Sequence, residues 1–322
     1  MRRIVIIGAG LAGLTAARSL GGRFDVVVLD KGRGVGGRMA TRRIGAATVD
    51  HGAQFFTTHT AEFAAIVAGW SEAGVARPWF AGRLGPQGIV DADGHTRFRG
   101  VASMNAVAHH LADGLDVRRS TPVRSVSRSG DEWLVATPDE TWTADAVLLT
   151  PPVPQSLALL AAGGVGLADA DRLALSAVEY EPCLAVLAVL DGPSGLPEPG
   201  AINPADGPVA WLADNQRKGV SAEPAVTIHA TPVFSRRHWD ADDETIIAAM
   251  VPAANLRSAP VPGRVEVHRW RYARPVVTYP ARFLAAHGLP HLLFAGDAFE
   301  GAKVEGAVLS GIAAAAFLAG QP

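Results

Sequence analysis

Six residues near the start of the chain, Gly8-Ala9-Gly10-Leu11-Ala12-Gly13, have the spacing G-x-G-x-x-G. Such a run can cradle a pyrophosphate. Gly8 makes the turn, Gly10 lets the backbone approach the phosphates, and Gly13 lets a helix pack closely on a strand. Asp30 follows at the position where a carboxylate in such a unit holds ribose hydroxyls. Farther on, Gln54-Phe55-Phe56-Thr57 bring together polar and aromatic groups that can wall a flat ligand and bind its amide, while the pair Asp50-His51 before them reads as orienting a loop through hydrogen bonds, with a catalytic role as the alternative. The two phenylalanines could equally be core at a domain junction. Between Val265 and Tyr272, strand alternation puts Glu266, His268, Trp270 and Tyr272 on one face, with Val265, Val267, Arg269 and Arg271 on the other. The first face suits the ceiling of a flat substrate site, or ordinary cross-strand aromatic packing. Arg236, Arg237 and His238 read as a solvated basic turn, with phosphate contact as the alternative.

The elements that must hold these residues follow from the pattern. Ile4–Ile7 and Val26–Leu29 are short apolar strands around a helix over Leu11–Leu20, ended by Gly21-Gly22, which implies a parallel sheet. Helices are expected over 60–73 and 103–113, the second capped by Ser103, with a hairpin over 86–98 turned at Asp93-Gly94. Short strands fill 123–127, 133–137 and 141–144. The buried strand Ala146–Leu149 then exits at Thr150-Pro151-Pro152. Strands at 185–190, 226–231 and 265–272 and a helix near 242–250 give the middle of the chain a different texture. A buried strand at Leu292–Ala295 and an apolar helix over 304–319 close it.

Of 322 residues, 48% are hydrophobic and 19% charged, which suits a globular protein of about two domains. A net charge of -2 argues against a nucleic-acid partner. Cys183 is the single cysteine, so no internal disulfide can form, and it reads as core. No run approaches the ~20 apolar residues of a membrane span. A reducing, cytoplasmic setting is the expectation, with no metal site.

Lys31-Gly-Arg-Gly-Val-Gly-Gly-Arg38 resembles the second FAD motif of amine-oxidase-like flavoproteins, with Gly36-Gly37-Arg38 as its core. Gly296-Asp297, after an apolar run, resembles their late FAD motif, and Val304-Glu305-Gly306-Ala307 their last helix, whose positive end would stabilise reduced flavin. The stretches Gly36–Arg43 and Asp50–Thr57, extended by Trp211–Gly219, 229–232, 268–273 and Gly306–Gly311, look like the bacterial renalases and their relatives.

This resemblance implies an α/β fold of p-hydroxybenzoate-hydroxylase-like topology. A Rossmann-type FAD-binding domain (1–57, 98–156 and 285–322) would be interleaved with a mixed-sheet substrate domain (58–97 and 157–284). FAD would be bound non-covalently by Gly8, Gly10, Leu11, Ala12, Gly13, Asp30, Lys31, Gly36, Gly37, Arg38, Met39, His51, Gly52, Ala53, Val123, Thr150, Gly296, Asp297, Val304, Glu305 and Ala307. Gln54, Phe55, Phe56, Thr57, His268, Trp270 and Tyr272 would position substrate. The implied reaction oxidises 2- and 6-dihydro isomers of NAD(P)H to NAD(P)+, with oxygen returning as hydrogen peroxide. A dihydropyridine is already a hydride donor, so positioning matters more than an acid or base. Amine oxidation is the main alternative. Such enzymes often place a lysine near the flavin, and of the three lysines Lys31 opens the second FAD motif, Lys218 lies outside the motifs, and Lys303 sits in the loop before the last helix. A flavin-binding redox sensor and an NAD-dependent dehydrogenase rank lower.

Overall fold

The structure is a computed structural model describing residues 2–321. The chain divides into two compact units: Met1–Gly37, Ala108–Glu179 and Pro275–Pro322 form one, and Arg38–Val107 with Tyr180–Arg274 the other.

The first unit is built on a six-stranded sheet. Its spatial order is Phe283–Ala285, Leu292–Ala295, Ala146–Leu149, Arg3–Ile7, Asp25–Leu29 and Asp116–Arg118. The last five run parallel, and Phe283–Ala285 is an antiparallel edge. All four residues of Ala146–Leu149 and of Leu292–Ala295 are buried, as continuous apolar strands covered on both faces must be. The helix Leu11–Leu20 connects the first two parallel strands and lies against the terminal helix Val304–Gly320. Their approach is close: a side-chain carbon on Gly311 would sit 2.3 Å from the Ala12 carbonyl.

The second unit holds a five-stranded sheet in the order Ala201–Ile202, Val209–Asp214, Ala225–Ala230, Glu179–Leu190 and Pro260–Val277. One face packs Leu184, Val186, Val226 and Ile228 on Ile246 and Met250 of the helix Asp243–Ala253. The other face packs Ala185, Leu187 and Val189 on Ile44, Ala47 and Val49 of a small hairpin, Thr41–Ile44 with Ala47–Asp50. A longer hairpin pairs Ala76–Gly85 with Gly88–Gly100.

Two local expectations are corrected. The long hairpin turns at Pro86-Gln87, not at Asp93-Gly94. Asp93-Gly94 falls where the register jumps, with Ala81 opposite Thr96 but Arg83 opposite Asp91; the Asp93 carboxylate is occupied there by Arg97. Ser103 is not a helix cap. The helix begins at Ala106, and Ser103 donates its hydroxyl to Asn105 instead.

The compact units also depart from the expected domain edges. Residues 38–57 belong with the second unit, because the hairpin supplies part of that sheet's core and its Asp50 is buried there. Residues 98–107 follow, continuing the paired strand Gly88–Gly100. Residues 157–179 belong with the first unit, where the helix end at Gly163 sits so close to Val126 that a side-chain carbon would meet its carbonyl at 1.9 Å. Residues 275–284 join the first unit as well. Among the described residues, no helix is long and apolar enough to cross a membrane.

Candidate functional site

In the first unit, the glycine turn sits between strand and helix. Gly8 has φ of +104°, a conformation that side chains resist, and its N–H donates to the Leu29 carbonyl of the neighbouring strand. Thr150 braces the turn by placing its hydroxyl on the Ile7 and Gly8 carbonyls at 2.8 and 3.1 Å. The helix starts at Leu11 with Gly10 as its cap residue. No side chain caps it, and no acidic residue lies in its first turn. Its first amides therefore remain donors for an anion. A side-chain carbon on Gly10 would meet nothing within 4 Å, whereas one on Gly13 would lie 2.0 Å from the Gly8 carbonyl. Gly10 thus keeps a space open and Gly13 closes one. The buried Leu11 and Ala12 can offer a ligand only their backbone.

The second glycine loop lies against the first. Gly36 N–H donates to the Ala9 carbonyl at 2.8 Å, and a side-chain carbon on Gly37 would be 3.5 Å from the Gly10 Cα. Asp30 has a structural role in this corner. Its two oxygens accept the Ala9 and Gly32 amides, each at 2.6 Å, so it also ties the loops together. Lys31 is exposed and donates to Gln155 at 3.2 Å. Thr121 N–H bonds the Asp30 carbonyl, which brings the half-buried Val123 close in sequence to the same corner. At the other end of the sheet's order, Gly296 N–H donates to the Ser310 hydroxyl. Asp297 is half-buried just beyond it, and Val304, the buried Glu305 and Ala307 form the first turn of the last helix, which no side chain caps. An open glycine turn beside an uncapped helix start fits a dinucleotide's phosphates.

The second unit carries a buried polar hub that the sequence did not announce. Asp50 and Lys218 pair at 2.8 Å with both side chains fully buried. Asp50 also accepts from the Met104 amide and the Thr41 hydroxyl, and its N–H donates to Asn215. Its carbonyl takes bonds from Gln54 Nε2 and Thr227, both at 2.7 Å. Burial pulls the Lys218 ammonium below its ordinary value, and Asp50 pulls the other way. Lys218 also lies 5.1 Å from the Trp79 ring centre. The signal missed in the sequence is Lys218 itself, one of three lysines and inside the Trp211–Gly219 stretch.

The hub fixes His51. The His51 carbonyl accepts from Trp270 Nε1 at 2.9 Å and lies 3.1 Å from His229 Nε2. Its ring stacks on Trp270 at 5.3 Å and meets His268 edge-on at 4.6 Å; His268 and Trp270 are 4.3 Å apart. Burial, then the neighbouring His268 and Arg42, push His51 down to about 3. Burial likewise brings His229 to about 4 and lowers His268. Burial thus favours the neutral form of all three imidazoles, two of which, His51 and His268, lie against Trp270. Glu266, on the same strand face, pairs with Arg42. The opposite face behaves as the alternation requires: Val265 and Val267 pack in the core, and Arg269 binds Asp243.

The remaining expected residues separate. Arg38 donates to the Tyr272 carbonyl at 3.3 Å, and the Tyr272 ring meets Tyr180. Met39 is buried. Gly52 and Ala53 are strapped to Arg38: Ala53 N–H bonds its carbonyl, and a side-chain carbon on Gly52 would lie 2.0 Å from that oxygen. Phe56 is not a site wall. It is core, with Phe63, Trp70 and Phe98 around it and backbone bonds to Phe98 in both directions. Phe55 is half-buried against Trp211 and Phe80, and Thr57 bonds His59. Burial pushes the Cys183 thiol up to about 12.

The first unit is Rossmann-like with an open glycine turn, and the second is a sheet unit with a buried aromatic face. Residues 82–318 match the flavin containing amine oxidoreductase family, and residues 6–68 match an NAD(P)-binding Rossmann-like domain. The chain belongs to the flavin containing amine oxidoreductase family, and FAD is its cofactor. It is similar to solved structures across nearly its whole length. One from Exiguobacterium sp. 255-15, assigned as a protoporphyrinogen oxidase, has 15% identity and a TM-score of 0.74, covering 98% of both chains. Putrescine oxidase bound to putrescine has 16% identity and a TM-score of 0.70, covering 99% of both. A fatty acid isomerase from P. acnes that produces CLA has 13% identity and a TM-score of 0.68, covering 97% of both. These likenesses establish the fold.

Proposed function

We propose that the protein is a renalase-like oxidase that converts 2- and 6-dihydro isomers of NAD(P)H to NAD(P)+. The observation that carries this reading is the cluster of His51, His268 and Trp270, flat rings held uncharged by burial. A dihydropyridine losing hydride becomes an aromatic cation, so its site needs a flat uncharged wall more than a base. When bound non-covalently, the flavin supplies a two-electron acceptor, with O2 as the final oxidant. The balance is dihydronicotinamide plus O2 plus one proton to NAD(P)+ plus hydrogen peroxide. Within the chain, Asp50 and Lys218 hold the 50–54 loop, and the Trp270 indole holds the His51 carbonyl. FAD would be held by the two glycine loops and the uncapped start of Leu11–Leu20 in the first unit, with the Gly296-Asp297 turn and the last helix.

Amine oxidation is a second reading, favoured by the family match itself. Lys218 is unsuited to serve there as a lysine acting through water, because it is fully buried and paired. The two readings part on products. Purified protein should show flavin bands and, with the 6-dihydro isomer, consume one O2 and form one peroxide per NAD(P)+. Peroxide formed with primary amines but not with either isomer would replace the first reading by the second.

A further inference from the structure

The long hairpin of the second unit carries four arginines, and they fall into two kinds. Arg83 pairs with Asp91, and Arg97 with Asp93. Arg77 and Arg99 have no carboxylate within salt-bridge distance among the described residues. They are direct partners in the hairpin register, so two like charges face each other across the strands. Such a pair is unfavourable by itself. Arg99 is only 2% exposed, and its Nη1 is spent on the Gly100 and Val101 carbonyls, both at 2.7 Å. A buried guanidinium without a counter-charge is expensive.

The two side chains converge. A side-chain carbon on Gly219 would lie 2.9 Å from Arg99 Nη2 and 3.0 Å from Arg77 Nη2, so both guanidinium ends meet over the bare backbone of Gly219, where there is no room for a side chain. Gly219 has φ of +78°, which also disfavours any other residue. The neighbouring Lys218 adds no counter-charge, and the Asp50 carboxylate is already committed to Lys218.

We propose that Arg77 and Arg99 form a binding site for a phosphate group over Gly219. The forked guanidinium donors match a tetrahedral dianion, and one Nη2 from each side chain is available to it. Anion binding there is independent of what the flavin oxidises.

The test uses the flavin-loaded full chain with inorganic phosphate, at constant ionic strength set by chloride. Phosphate should raise Tm in a saturable way, and titration calorimetry should give a matching affinity. Arg77→Ala, at an exposed position, should weaken that affinity by about tenfold or more. Gly219→Ala should abolish it. A rise in Tm of equal size in the parent and in Arg77→Ala, or no response to phosphate in the parent, would overturn the site. Competition identifies the source of the phosphate. Displacement by NADP+ but not NAD+ assigns the site to a ribose phosphate of a dinucleotide, and displacement by neither assigns it to free phosphate; both results keep the site.

Discussion

The two candidate regions are made in opposite ways. The glycine turn of the first unit works with backbone: no side chain caps its helix, and Gly10 keeps a space clear. The hub of the second unit works with buried side chains, centred on a fully buried ion pair and three imidazoles whose burial disfavours a charge. A backbone cradle tolerates almost any residue that leaves it open. A buried charge tolerates very few, because each partner removed leaves the other unpaired.

The sharpest way to break this contrast lies within the turn itself. Gly13→Val should give no soluble folded protein, since its Cβ would fall 2.0 Å from the Gly8 carbonyl. Gly10→Val should fold, with the circular dichroism of the parent, yet purify without flavin. Full flavin occupancy in Gly10→Val would show that the cradle lies elsewhere.

In the hub, Lys218→Met should cost about 3–5 kcal/mol by leaving Asp50 buried and unpaired. Adding Asp50→Asn should restore part of that loss in denaturant unfolding. Equal stability of the single and double variants would remove the ion pair from the account.

The histidines predict a pH dependence. His51 and His229 have folded pKa values near 3 and 4, below the ordinary 6.5. The unfolded chain therefore binds more protons in the window between those values and 6.5. Their contribution is fully present above pH 6.5 and is lost as the pH falls, by about 1.4 kcal/mol per pH unit for each histidine. His51→Gln should flatten the fall of stability between pH 6 and 4, and an unchanged slope would argue against its burial as a neutral ring. The smallest effect is expected at the turn's brace: Thr150→Val should cost about 1 kcal/mol while flavin is retained.

The same contrast explains what could be read from sequence. Gly8–Gly13, the flanking apolar strands and Leu292–Ala295 lie in local runs whose spacing alone dictates strand, turn and helix. Asp50, Lys218, Asn215 and Thr227 meet only in three dimensions, and nothing local distinguishes a buried lysine from a solvated one. Asp93-Gly94 has the composition of a tight turn, but Arg97 holds the aspartate in a register break, and the chain reverses at Pro86-Gln87 instead. Phe56 sits in an aromatic run that resembles a ligand wall, and only its contacts with Phe63, Trp70 and Phe98 reveal core. The position of Asp30 just after the strand Asp25–Leu29 is legible in the sequence, whereas its bonds to the Ala9 and Gly32 amides are not.

Anaerobic mixing of the purified flavoprotein with 2- and 6-dihydro isomers of NAD(P)H, followed by flavin absorbance, tests the central claim most directly. The account predicts rapid bleaching by at least one isomer and NAD(P)+ in equal amount, with little bleaching by primary amines. Rapid bleaching by amines, with both isomers inert, would contradict it.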